Sequence, residues 1–286
     1  MKNYILILPL LLFFSGCSVQ KLTIRAMKPV IENSMESLFE ESDLEIGKSA
    51  IEADLKLLEA LLKSDPENTR LLLYATQGFA SYSLGFVEDV DENRARQLYL
   101  RAQNYGLQAL KKNDAFKKAL KSDFSAFENA LQKFNKNDVP VLFWTANAWG
   151  NWINRSMTNP NALAEMPKVE AMMKRVLELD EAYFYGGAHL FFGTIYMVKP
   201  IIMGGNPEKA REHFEKCLTF SRKQFLLPYV FYARYYAAQL MEEELFNSLL
   251  ETVQQADIDV LPNQRLPNAI AKDKAKRLQE MKSEYF

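Results

Sequence analysis

The sequence is poor in the residues that most often carry chemistry. It holds two histidines, two cysteines and three tryptophans in 286 residues. No HExxH, GxSxG, CxxC or phosphate-cradling glycine loop occurs, so the usual motifs for zinc proteolysis, serine hydrolysis, thiol redox chemistry and P-loop nucleotide binding are missing. No enzyme, metal site or cofactor is expected. Charge of one sign is missing too. Lys+Arg (35) and Asp+Glu (36) nearly cancel to −1, which speaks against nucleic acid as a partner. Glycine and proline are sparse at 11 each, and no period-two alternation is long enough for a strand. The one long apolar run, Tyr4 to Phe14 with Pro9 inside it, has about half of the ~20 residues a membrane span needs.

That run is better read as an export signal. Lys2 supplies the positive charge before it, and Phe14-Ser15-Gly16-Cys17 closes it. Two small residues directly before a cysteine resemble the bacterial lipobox, with Phe14 standing where Leu is usual. Ordinary secretory cleavage wants a small residue where Phe14 would fall, and fits worse. The expectation is a signal peptide over 1–16, a lipid-modified Cys17, a tether over 17–27 and a single domain over 28–286. Each buried methylene contributes about 0.8 kcal/mol and stable anchoring takes more than one chain, a condition a triacylated cysteine meets. Ser18 stands where lipoproteins retained at the inner membrane often carry Asp, which points to the periplasmic face of the outer membrane. With Cys17 lipidated, Cys217 has no partner for an intrachain disulfide.

Leu, Ala, Glu, Lys and Gln are plentiful, a composition that favours helix. Three segments fit the tetratricopeptide pattern loosely. The first carries Tyr74 and Gly78, then Ala95, Tyr99 and Ala102. The second carries Trp144 and Ala148, then Val169, Met173 and Val176. The third carries Phe192, Gly193 and Tyr196, then Ala210, Phe214 and Cys217. Four positions of the first and third segments align at one offset of 115 residues: Gly78 with Gly193, Ala95 with Ala210, Tyr99 with Phe214, Ala102 with Cys217. Small residues at these places let paired helices approach closely. Further helices are expected near 28–42, 48–63, 114–133, 228–240, 242–256 and 267–283, with a proline-bearing turn from Ile258 to Pro267. Gly204-Gly205-Asn206-Pro207 ends one helix and starts the next, with Asn206 as N-cap and Pro207 at the first helical position. The predicted fold is all-α, a tetratricopeptide-like array of helical hairpins with extra helices closing the concave face.

Several passages now carry a resemblance. They are Asp65-Pro66-Glu67-Asn68 leading into Leu71-Leu72-Leu73-Tyr74 and Gly78, Leu177-Glu178-Leu179-Asp180, and Pro200 with the run from Gly204 to Glu215. Arg265-Leu266-Pro267-Asn268 with Ala271, and the terminal Glu284-Tyr285-Phe286, complete the set. Over nearly the whole mature chain the sequence resembles the T component of tetratricopeptide-repeat-associated TRAP transporters, the TatT lipoprotein family. The resemblance implies a periplasmic accessory subunit that works with a TRAP-type solute-binding protein. It also implies a homotrimer with a channel through each subunit.

In a tetratricopeptide stack, four positions of each first helix face the concave groove. Here they fall on Leu72, Ala75, Phe79 and Tyr82, on Leu142, Thr145, Trp149 and Trp152, and on Gly187, Leu190, Thr194 and Met197. Peptide-binding grooves are commonly charged at these places, and this one is not. An apolar concavity with a few hydroxyls suits a small apolar or organic-acid ligand, or a partner's apolar helix. The candidate ligand path is Phe79, Tyr82, Thr145, Trp149, Trp152, Leu190, Thr194 and Met197. A core filled by the extra helices would be equally apolar, so the pattern fits either. The alternative function is a tetratricopeptide-like lipoprotein scaffold for protein–protein contacts in envelope assembly. His189 is expected as a packing residue, His213 as packing or surface, and Cys217 as a buried small residue.

Overall fold

The computed structural model describes residues 16–286. The signal-peptide reading falls outside the described residues except at Gly16, and so does the side chain of Cys17. Among the described residues every regular element is a helix. The N-terminal helices are α1 Gly16–Ala26, α2 Lys28–Phe39, α3 Leu44–Ser64, α4 Thr69–Tyr82 and α5 Glu92–Leu110. Next come α6 Asp114–Ala119, α7 Phe124–Leu131, α8 Val139–Asn154, α9 Pro160–Leu163 and α10 Met166–Leu179. The last are α11 Tyr183–Val198, α12 Pro207–Phe220, α13 Leu227–Tyr232, α14 Glu243–Gln255 and α15 Arg265–Glu280.

Local chemistry sets the helix starts. Asp43, Asn68, Asp91, Asn113, Asp123, Asn159 and Asn206 each accept a backbone N–H of the helix that follows, satisfying donors the first turn leaves unpaired. α3 buries Gly47, Ile51, Leu55, Leu58 and Leu62, the spacing of one face of a 3.6-residue helix. The expected helix over 114–133 is instead two short helices, because Asp123 caps a new one at Phe124. Pro267 lies inside the first turn of α15 rather than before it, where its missing N–H costs no intrahelical bond. Gly204 ends the 3₁₀ turn Ile201–Met203 at a φ of 93°, in the left-handed region open to glycine. A Cβ on Gly205 would sit 2.0 Å from the Lys199 carbonyl oxygen, so that position must also be glycine.

The helix pairs of the three repeated segments pack on each other: α4 on α5, α8 on α10, α11 on α12. Close approach at Gly193, whose Cβ would fall 3.0 Å from the Phe214 ring, lets α11 lie against α12. α8 is central and touches α4, α5, α10 and α11. α15 packs on α2, α3, α13 and α14. Two π-helical turns interrupt the pattern, Ser83–Val87 after α4 and Ala233–Ala237 after α13. π turns are rare and often mark functional places. No helix among the described residues is long and apolar enough to cross a membrane.

Candidate functional site

α2, α3, α4, α8, α11, α15 and the segment 225–231 surround a cavity with about 160 Å³ of room for the centres of water-sized molecules. α4 and the π turn after it present Gln77, Gly78, Ser81, Leu84 and Gly85 to this space. These lie on one helical face. α8 presents Phe143, Trp144, Asn147, Gly150, Asn151 and Asn154, again one face. α11 presents Phe184, Gly187, Leu190, Phe191, Thr194 and Val198.

One end of the wall is aromatic. The Phe184 ring meets Trp144 edge-on at 4.8 Å and Phe225 at 5.6 Å. Gly187 makes room for Phe143, whose Cζ would lie 2.6 Å from a Cβ there. This cluster is held by an unusual backbone: Phe184, Tyr185 and Gly186 form a left-handed turn, with φ values of 47°, 58° and 76°. Left-handed geometry costs an L-residue roughly 1–2 kcal/mol, so two aromatic residues hold strain at the cavity wall. The Cys217 thiol donates to the Tyr185 carbonyl at 3.3 Å and is buried beneath the turn. Burial pushes its pKa up to about 12, so it stays a thiol.

The rest of the wall carries amides. Asn147, Asn151 and Asn154 form a ladder along α8, and the Asn151 amide donates to the Asn147 carbonyl at 3.0 Å. Asp54 on α3 also lines the cavity. Ser34 donates to its carboxylate at 3.5 Å, and burial pushes its pKa above the usual carboxylate value.

Leu190 and Thr194, two of the residues expected on the ligand path, line the cavity. Phe79, Tyr82, Thr145 and Trp149 are buried elsewhere. Phe79 stacks on Tyr105 of α5 at 5.8 Å, and Thr145 sits where α5 has no side chain, at Gly106. Trp152 and Met197 are half-buried, outside the cavity wall. On α4 and α8 the lining residues are shifted by two from those expected. At about 100° per residue that is the opposite side of the helix. The expected face belongs to the α5 interface. The asparagine ladder was missed, though its signal was present: three asparagines at i, i+4 and i+7 in an otherwise apolar helix.

One helical turn beyond the cavity is a buried ionic cluster. The side chains of Glu88, Lys274 and Arg155 are only 4%, 5% and 9% exposed. Arg155 and Lys274 both pair with Glu88, Lys274 at 2.9 Å, and Tyr99 donates to the same carboxylate at 2.6 Å. Lys274 and Arg234 also hold Asp89, which against the effect of burial keeps its pKa below the usual range. The histidines form a separate chain. His189 Nδ1 meets His213 Nδ1 at 2.7 Å, and His189 Nε2 meets Glu181 at 3.0 Å. Burial lowers both histidine pKa values, His213 to about 4, so the pair is neutral and shares one proton between the facing nitrogens.

A cavity inside a helical body does not by itself name a role, but the comparison with known families does. The family model of the TRAP transporter T-component matches residues 40–286. The chain belongs to the TRAP transporter T-component family. An uncharacterized protein of Treponema pallidum (strain Nichols) is 24% identical over an alignment covering 96% of this chain and 94% of the relative. Membership makes this T-component an accessory of TRAP transport, and its family is not one of enzymes. The family match includes every element that lines the cavity except α2, whose Met35, Leu38 and Phe39 precede residue 40.

Proposed function

We propose that this chain is a lipid-anchored periplasmic subunit that holds or passes a small apolar ligand together with a TRAP-type solute-binding protein. The observation that carries the reading is the apolar cavity, built from three helices that also supply the repeated segments and covered by α2, α3 and α15. A ligand there would gain about 0.8 kcal/mol per buried methylene. The covering helices favour a small molecule over an extended peptide, and so favour transport over the scaffold alternative. With no apolar helix long enough to span a bilayer among the described residues, transport must run through partners. In this reading Cys17 carries the acyl chains at the outer membrane, and the subunit assembles as the homotrimer that the family resemblance implies.

Two measurements test it. The full chain incorporates labelled palmitate and Cys17→Ala does not; equal incorporation in both removes the anchor. The solute-binding protein encoded beside the TRAP membrane subunits co-purifies with the full chain from membranes. Recovery of outer-membrane assembly proteins without any solute receptor would transfer the reading to the scaffold.

A further inference from the structure

The charge of the cavity wall limits what the proposed site accepts. Among the described residues that line it, Asp54 is the only one with a charged side chain, and none is Lys, Arg or His. Two cations that adjoin the wall are already committed. Arg155 stands behind Asn151, with its guanidinium 3.4 Å from the amide oxygen, but it is tied to Glu88. Lys274, one turn from Ile270 of the wall, is held by Glu88 and Asp89. Asp54 has the opposite situation. It is partly buried, Ser34 is its hydrogen-bond donor, and among the described residues no Lys, Arg or His forms an ion pair with it. Desolvating a carboxylate without a counter-charge is costly, and a cationic ligand would relieve that cost. The aromatic end of the wall is compatible with such a ligand, because ring faces attract cations. A carboxylate ligand would meet the Asp54 charge with no basic group to offset it.

We infer that the cavity selects apolar amines, with Asp54 as the counter-ion and the asparagine ladder as secondary hydrogen-bonding groups, and that it rejects organic acids. This rests on the proposed ligand-binding role and narrows its substrate class. It excludes the organic-acid half of the ligand class expected from the sequence.

A matched series tests it: 4-phenylbutylamine, 4-phenylbutan-1-ol and 4-phenylbutyrate, titrated calorimetrically into the full chain in detergent micelles, with empty micelles as blank. The amine should bind about tenfold tighter than the alcohol, and the carboxylate about tenfold weaker than the alcohol. Asp54→Asn should bring amine and alcohol affinities within about twofold of each other. Carboxylate binding equal to or tighter than amine binding overturns the inference, as does an amine preference that survives in Asp54→Asn. Equal binding of all three also overturns it, while leaving the ligand-binding role standing. If none of the three binds, both fail.

Discussion

The apolar cavity and the buried ionic cluster share four chain segments and differ in everything else. Gly85, Asn151 and Ile270 line the cavity, and four residues later on the same segments stand Asp89, Arg155 and Lys274; Arg234 stands three residues after Phe231 of the wall. One helical turn separates an almost uncharged cavity from a packed group of three cations and two carboxylates. The difference shows how a helical body can hold a cavity. Residues around a void forgo dispersion contacts on one side, so the cavity wall contributes little cohesion. The cluster fixes the same four segments just beyond the void. Its charges gain little net energy against their desolvation, but each is costly to leave unpaired, which pins the segments in register.

Breaking the cluster should give the largest effect. Glu88→Gln leaves Arg155 and Lys274 short of a carboxylate, and should lower unfolding free energy by about 3–5 kcal/mol in urea titrations. The next contrast is between filled and hollow packing. Phe214 is fully buried and stacked on Tyr232 at 4.8 Å, so Phe214→Ala should cost about 3–4 kcal/mol. Phe191 faces the cavity, where its neighbours are already absent on one side, and Phe191→Ala should cost about half as much in the same titration.

The histidine chain adds a dependence on pH. His213 is neutral in the folded protein, with its pKa lowered by burial and by His189 to about 4, against about 6.5 unfolded. The unfolded chain therefore takes up the proton first. Stability is complete above about pH 6.5 and is lost as pH falls toward 4. The ring is only partly buried, so solvent screens the loss to about 1 kcal/mol, and His213→Gln should flatten that part of the stability–pH curve. The smallest effect belongs to surface charge. Arg211 and Glu215 pair at 3.3 Å with their side chains 50% and 62% exposed, and Arg211→Ala should shift stability by no more than about 0.5 kcal/mol.

The same contrast explains what the sequence revealed. The all-α fold, the Asn206-Pro207 helix start, the burial of Cys217 and the small residues facing neighbouring helices were legible because each is a local rule. The faces of α4 and α8 were not. α8 is apolar nearly all round from Val139 to Ala146, so that stretch cannot say which side meets α5, and only the asparagines after it mark the cavity side. On α11, Gly187, Leu190 and Thr194 line the cavity. The ionic cluster had no local signature, since Glu88 and Lys274 are joined only by the tertiary fold. The left-handed turn at Phe184 to Gly186 was equally hidden, although Gly186-Gly187 marks its end.

The account rests most heavily on the cavity being a ligand site. Calorimetric titration of 4-phenylbutan-1-ol into the full chain and into Leu190→Trp, whose indole would occupy the space, tests that most directly. One binding site is expected in the wild-type chain, with an affinity at least about tenfold weaker in Leu190→Trp and an unchanged unfolding midpoint. Equal affinity in the two proteins would contradict it.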